Sequence, residues 1–564
     1  MHDKPLKVVL CWHMHQPQYL DLVGNEFQLP WVYLHAIKDY VDMAAHLEAI
    51  PEAKAVINFS PVLLEQLDEY ERQINDCLKG TGPIRDALLA ALDTPVFPAD
   101  NEHRAALIQA CLRSNKKNQI DRFPPYKQLV AMAELLSHDV NYISYLSNQY
   151  LADLVCWYHL VWLGETVQRS DQRVQDLIAQ GSGFTLHQRR GLLQIIGELI
   201  SDLRHRYATL AERGQIELSM SPYTHPMIPL LLDFSAAREA IPDLQLPQLD
   251  AYPGGRDRSI WQLQTGLEIF QKYFGLRPVG CWPSEGGVSN AALELMQATG
   301  FQWVATGETV LRNSISSTAS LPQDQTIYHA FTHKASGVRL FARNDSLSDL
   351  IGFTYADWHA DDAVADLINR LTIIADSVTA ADDPVISIIL DGENAWEYYP
   401  ENAYYFLTAL YKSLAENPRF KLSTYRELLT ARDVPLENIV AGSWVFGTFS
   451  TWIGNQDKNR AWDILGDAKR SYDEVMAASD IDPQLKAKIE TQLAICEGSD
   501  WFWWFGDYNP AETVSDFESL YRRHIANLYC LLGREPPQYL SEKLSYGTGS
   551  PKLGGVIRPG THEN

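Results

Sequence analysis

Two carboxylates stand directly behind short apolar runs in this sequence. Glu285 lies in Gly280-Cys-Trp-Pro-Ser-Glu-Gly-Gly-Val-Ser289, and Asp391 follows Val385-Ile-Ser-Ile-Ile-Leu390 and opens Asp391-Gly-Glu-Asn-Ala-Trp-Glu397. A carboxyl group beside a buried strand loses the water that stabilises its charged form, so its pKa rises and it can hold a proton for a leaving oxygen. Two such groups at separate strand ends are the minimum apparatus for cleaving a glycosidic bond. Each also has an ordinary structural use, Asp391 as a helix cap and Glu285 in a first helical turn. Gly286 and Gly287 let the backbone beside Glu285 approach a ligand closely.

A third strand end carries His13-Met-His15-Gln16-Pro17, whose alternation puts His13 and His15 on one face. The same spacing begins a metal-binding pair. With His225 and His359 as further ligands it sustains an alternative, a metal-dependent amidase or deacetylase. Tyr223, Pro226 and Trp358 beside those histidines are as typical of sugar sites, and the expectation is neither metal nor cofactor.

The elements that must position these groups are seven apolar runs: Lys7 to Trp12, Ala55 to Phe59, Gln215 to Met220, Pro278 to Cys281, Phe301 to Ala305, Val338 to Phe341 and Val385 to Leu390. Each ends abruptly in polar, aromatic or Pro/Gly residues, as buried parallel strands do where their carboxyl ends open onto a site. Helical periodicities between them, such as Asn290 to Thr299 and Asp361 to Ala375, complete repeated βα units. An α/β barrel or related parallel sheet is expected, with its chemistry at the carboxyl end. Residues 65–213 read as a helical insertion between the second and third strands. Beyond residue 430 the helical stretches Lys458 to Met476, Asp482 to Cys496 and Glu512 to Leu532 predict a C-terminal helical domain over 431–564. The barrel with its insertion takes 1–430, and a Gly- and Pro-rich arm over about 545–564 is expected to be flexible.

A chain of 564 residues with a net charge of −24 repels phosphate backbones and anionic lipid, so nucleic acid and membranes are not expected partners. No export signal precedes Val8, and no stretch reaches about 18 uncharged apolar residues, so a cytoplasmic protein is expected. Seven scattered cysteines, none in a CxxC pair, argue against a disulfide framework. Fifteen Trp and 27 Tyr supply flat faces on which sugar rings can stack.

Taken together, five segments in order resemble glycoside hydrolase family 57: His13-Met-His-Gln-Pro17; Gly214-Gln-Ile-Glu-Leu-Ser-Met-Ser-Pro-Tyr-Thr-His225-Pro; Cys281-Trp-Pro-Ser-Glu285; Leu390-Asp391-Gly-Glu-Asn394; and Gly442-Ser-Trp444 through Trp452-Ile-Gly454. The resemblance spans most of the chain and implies an incomplete (β/α)7 barrel followed by a helical domain that contributes to the cleft. It implies a retaining double displacement on α-glucan or malto-oligosaccharide, with Glu285 as nucleophile and Asp391 as acid/base. It also implies that His13, His15 and His225 bind sugar hydroxyls, with Gln16 and Glu393 beside them. Trp282, Trp396, Trp444 and Trp452 become candidate stacking platforms. The cluster Glu497-Gly-Ser-Asp500-Trp501-Phe-Trp-Trp-Phe-Gly-Asp507 resembles a segment at the active-site rim of amylopullulanase-like members, and reads equally as an aromatic seam.

The second and third segments look most like the amylopullulanase and α-amylase group. Asn344, in Ala342-Arg343-Asn344-Asp345, departs from that group's Arg-Asp. Cleavage of α-1,4 bonds, with α-1,6 as an extension, is the leading expectation. The alternatives are 4-α-glucanotransferase or branching activity by the same residues, the metal-dependent enzyme above, and a non-catalytic glucan-binding protein.

Overall fold

The computed structural model describes residues 5–136, 139–322, 325–378, 383–478, 480–506 and 508–549. Seven parallel strands form its centre: β1 (Leu6–Met14), β2 (Ala55–Phe59), β3 (Ile216–Met220), β4 (Gly280–Cys281), β5 (Trp303–Gly307), β6 (Arg339–Arg343) and β7 (Val385–Asp391). They neighbour one another in chain order, β7 pairs with β1, and β6 meets β7 at Ser387↔Arg343, which closes the barrel. Their residues are almost wholly buried, as strands covered on both faces must be.

The expected strands are all present, with shifted ends. β4 is only two residues long because Pro278 cannot donate to the ladder. Gly280 is required there, since a Cβ would lie 1.8 Å from the Trp303 ring. β5 begins two residues later than its apolar pattern and runs on to Gly307. The short strands Ala330–His333, Asp433–Leu436 and Phe420–Leu422 escape a sequence reading, being three or four residues long without an apolar run. The first is antiparallel to β6, and the last pairs in parallel with the amino end of β1.

Register decides what the barrel presents. His13 on β1 is level with Asp391 on one side and Asn58 on the other, while Met220 is level with Cys281, four residues before Glu285. Groups hundreds of residues apart in sequence thereby meet at the carboxyl ends.

Between β2 and β3 lie helices including α1 (Pro61–Lys79), α2 (Asn148–Val161) and α3 (Leu186–Glu212), and among the described residues of that stretch no strand occurs. Further along, α4 (Gly255–Phe274) precedes β4, and α5 (Gln456–Ala478), α6 (Pro483–Cys496) and α7 (Ala511–Leu531) follow the barrel. Glu497, at the end of α6, is fully buried. It accepts from Arg258 Nε at 2.8 Å and Gln262 Nε2 at 2.8 Å, both on α4, and from Tyr252 Oη at 2.7 Å. A buried pair with every partner in place holds α6 in one register against the barrel, which is the role such pairs serve better than net stabilisation. The arm expected to be flexible begins docked, with Ser545 buried and accepting from the Gly506 N–H at 3.0 Å, while 550–564 lie outside the described residues. Among the described residues no helix is long and apolar enough to cross a membrane.

Candidate active site

At the carboxyl end of the barrel a cavity of about 290 Å³ is lined by Glu285 and Asp391 together with His13, His15, Gln16, His225, Trp282, Glu393, Trp444 and Asp500. The wall is built from the strand ends and the segments that follow them, with Trp31, His35 and Phe353, from Trp162 after α2, and from Asp500, Trp503, Trp504, Thr513 and Phe517 of the C-terminal helices.

Glu285 sits on a single tight turn after β4 with φ 58° and ψ 26°, a left-handed conformation that costs a non-glycine residue about 1–3 kcal/mol and persists only where the surroundings enforce it. Here Trp444 N donates to the Glu285 carbonyl at 3.1 Å and Thr306 Oγ1 donates to the Gly286 carbonyl at 2.6 Å. Gly286 is also left-handed, and a Cβ there would lie 2.8 Å from the Trp282 ring. The carboxylate then receives Trp444 Nε1–H on Oε2 at 3.1 Å and Ser499 Oγ–H on Oε1 at 3.4 Å. Burial pushes its pKa up to about 8, Trp444 opposes that, and the negative charges of Asp500 and Asp391 add to it.

Asp391 accepts from Asn394 Nδ2 at 2.8 Å. Burial raises its pKa, against the pull of Asn394, His15 and Arg343. Glu393, two residues on, is buried and raised well above the carboxylate range. Its Oε1 takes His15 N–H at 3.0 Å and Gln16 Nε2–H at 3.2 Å, and its Oε2 has no protein partner. Carboxyl groups whose pKa is raised by burial and that face one cavity are placed to exchange protons with a bound substrate.

His13, His15 and His225 stack with ring centroids 4.0 to 5.6 Å apart and planes within 22°. Burial depresses His13 to about 3 and His225 well below the usual imidazole range, so both are neutral. His13 Nδ1 meets Asn58 Oδ1 at 2.7 Å and His225 Nδ1 meets Ser499 Oγ at 2.9 Å, which leaves Nε2 of each without a protein partner. With Nδ1 donating, each Nε2 is an acceptor suited to a hydroxyl.

His15, His225 and Asp500 come close enough together to be tested as a metal site. The fit is poor. His15 Nε2 already meets Asp500 Oδ1 at 2.8 Å and its Nδ1 meets Ser60 Oγ at 2.7 Å. Nearly parallel stacked rings also send their in-plane lone pairs side by side, whereas a tetrahedral ion needs them convergent. His359 is exposed at the start of the helix Ala360–Ser377 and does not line the cavity.

Two expected platforms and one expected rim residue lie elsewhere. Trp396, Trp452 and Trp501 are fully buried and absent from the cavity wall. Trp396 packs edge-on against Trp12 and donates to the Gly392 carbonyl at 2.8 Å, and Trp501 donates to the Ile495 carbonyl at 2.8 Å. Trp452 packs against Trp503 at 5.9 Å, and it is Trp503 that reaches the wall. Trp31, Trp162, Trp504, Phe517 and Arg343 line the cavity without having been anticipated. Trp503 and Trp504 fall inside the aromatic cluster flagged by sequence, but helical period puts Trp501 and Trp504 on one side and so does not tell the ring that packs inward from those that reach the wall. Nothing local marks Trp31 and Trp162, whose rings meet at 5.9 Å.

The model of Glycosyl hydrolase family 57 matches residues 9–441. No curated protein sequence matches the chain. A branching enzyme from Pyrococcus horikoshii superposes with TM-score 0.56 at 17% identity, over 95% of this chain and 93% of its own. A branching enzyme from Thermococcus kodakaraensis gives 0.56 at 15%, over 99% and 97%, and an α-amylase from Thermotoga maritima 0.54 at 14%, over 95% and 96%. At such identities these likenesses establish the fold. The family match runs from the first strand past the last and contains the paired carboxylates and the histidine stack, and on it the chain belongs to glycosyl hydrolase family 57.

Proposed function

We propose that the chain is a retaining α-glucan-active enzyme that cleaves α-1,4 bonds, with Glu285 as nucleophile and Asp391 as acid/base. The observation that carries this reading is the pair itself, two partly buried carboxyls of raised pKa facing one cavity beside neutral, hydroxyl-accepting imidazoles. Glu285 attacks the anomeric carbon while Asp391 protonates the departing oxygen, and Asp391 then deprotonates the water or sugar hydroxyl that opens the covalent intermediate. Attack requires ionised Glu285, which burial disfavours. Positive charge developing on the sugar offsets that, and the Trp444 and Ser499 donors favour the same ionised form.

The chemistry of the wall supports a sugar polymer, since Trp282, Trp444, Trp503 and Trp504 offer stacking faces beside these polar groups. The similar structures named as branching enzymes and an α-amylase support α-glucan. Transfer to a sugar hydroxyl is the second reading, favoured by walls largely of aromatic rings, which hold an acceptor better than they hold water. We also propose the division at about residue 430 between barrel and helical domain. A reducing compartment is supported by seven free cysteines, most of them buried.

Product analysis on maltoheptaose and pullulan tests the assignment. Short sugars from wild type, and loss of activity in folded Glu285→Ala and Asp391→Ala, are expected, and products longer than the substrate would replace hydrolysis by transfer. A wild type inert on both substrates overturns the α-glucan reading, and a fully active variant overturns that residue's role.

A further inference from the structure

At the cavity mouth and just outside it, two segments hold large aromatic side chains partly in water. The segment after β6 leaves Phe353 and Trp358 37% and 43% exposed, and the loop after β7 leaves Tyr398 50% exposed. Large apolar rings gain free energy on burial, so a local cluster of them marks a surface made to be covered. These three are continuous with the cavity. Phe353 is part of its wall, and so is Glu397, the chain neighbour of Tyr398. The turn Tyr355–Asp357 packs against the turn Trp396–Tyr398, which brings the two loops together. Trp358 leans edge-on against buried Tyr355 at 5.4 Å, so its ring is braced while much of it remains free. Polar groups border the rings: exposed Asp357 faces Lys117 at 3.6 Å, and Asn118 Nδ2 donates to the Glu397 carbonyl at 2.9 Å.

We propose that Phe353, Trp358 and Tyr398 form an outer sugar-binding platform for the substrate chain on the leaving-group side of the scissile bond. The proposal rests on the α-glucan reading above. Asp391 serves the departing oxygen, and Tyr398 stands on the loop that Asp391 opens, so glucosyl units beyond that oxygen run toward this rim. Their C–H faces stack on the rings while Glu397 and Asp357 accept from their hydroxyls. The occupant is the same glucan chain whose bond is cleaved, because the rim and the cavity are one surface.

The test compares amylose with an aryl α-maltoside, whose phenol leaves nothing to occupy the rim, using full-length wild type, Trp358→Ala, Tyr398→Ala and the double variant. The quantity read is the ratio of kcat/KM on amylose to that on the maltoside. The double variant is expected to lower it about tenfold, the effect of losing two stacking contacts. Trp358→Phe, which keeps a ring, is expected to retain most of the ratio and guards against a folding defect. An unchanged ratio in the folded double variant, or an equal fall on both substrates, overturns the platform. Wild type inert on both substrates overturns the α-glucan reading first, and the platform with it.

Discussion

The Arg343 guanidinium lies over the ring of Trp444, 4.8 Å from its centroid, while the indole N–H of Trp444 donates to Glu285 at 3.1 Å. Arg343 also donates from Nε to the Ile389 carbonyl at 3.0 Å, two residues before Asp391, and pairs with Asp345 at 2.7 Å and Asp349 at 2.8 Å. One buried cation thus braces the ring that holds the nucleophile and the strand that ends in the acid. Arg343→Lys keeps the charge without the planar fork, and is expected to lower kcat about 10- to 100-fold with KM little changed. Steady-state kinetics on maltoheptaose, with circular dichroism to check folding, decide it. A wild-type kcat removes Arg343 from the positioning of either carboxyl group.

Ser499 comes from the C-terminal helices yet bonds both His225 and Glu285. Its hydroxyl lowers the Glu285 pKa, so Ser499→Ala raises it further. Since attack requires the ionised form, the low-pH limb of kcat/KM is expected to move to higher pH, by about half a unit to one unit for one lost hydrogen bond. A limb that stays in place means that Ser499 does not act on the nucleophile.

Glu285 also links pH to stability. Its folded pKa of about 8 exceeds the ordinary 4.5, so between those values the folded protein binds a proton that the unfolded chain releases, and stability falls as pH rises through that window. Glu285→Gln has no charge to bury. It is expected to match wild type below the window and to exceed it above by about 1–3 kcal/mol, a range reduced for the solvent that reaches this side chain. Urea denaturation of both proteins at acid and alkaline pH reads the difference. Equal stabilities above the window would show that the carboxylate is fully solvated in the folded protein.

The stacked histidines predict indifference to chelators. Exhaustive EDTA treatment is expected to leave activity on maltoheptaose unchanged, because both ring nitrogens of His15 already bond Ser60 and Asp500 and its ring stacks nearly parallel on His225. Loss of activity on chelation, restored by zinc, would revive the metal-dependent alternative.

Much of this protein is legible in one dimension because strand ends carry a local signature. An apolar run that stops at a carboxylate or histidine marks both an element and the place where chemistry can sit, and this located the seven strands and placed Glu285, Asp391, His13 and His15 at their ends. The tryptophans show where that legibility stops. Trp396 and Trp444 look equally available in sequence, but Trp396 turns inward onto Trp12 while Trp444 faces Glu285, and side-chain direction depends on packing partners far along the chain.

By itself, the sequence determined which strands exist, their order, and which two carboxylates stand at their ends, since hydrophobic period and chain order are local properties. Only the tertiary structure decided that Ser499 and Asp500 cross from the C-terminal helices to reach His225 and His15, that Trp31 meets Trp162, and that Arg343 braces Trp444. Those contacts join residues far apart in the chain through barrel closure and helix docking, and burial, pKa and ring orientation come into being only when such surfaces meet.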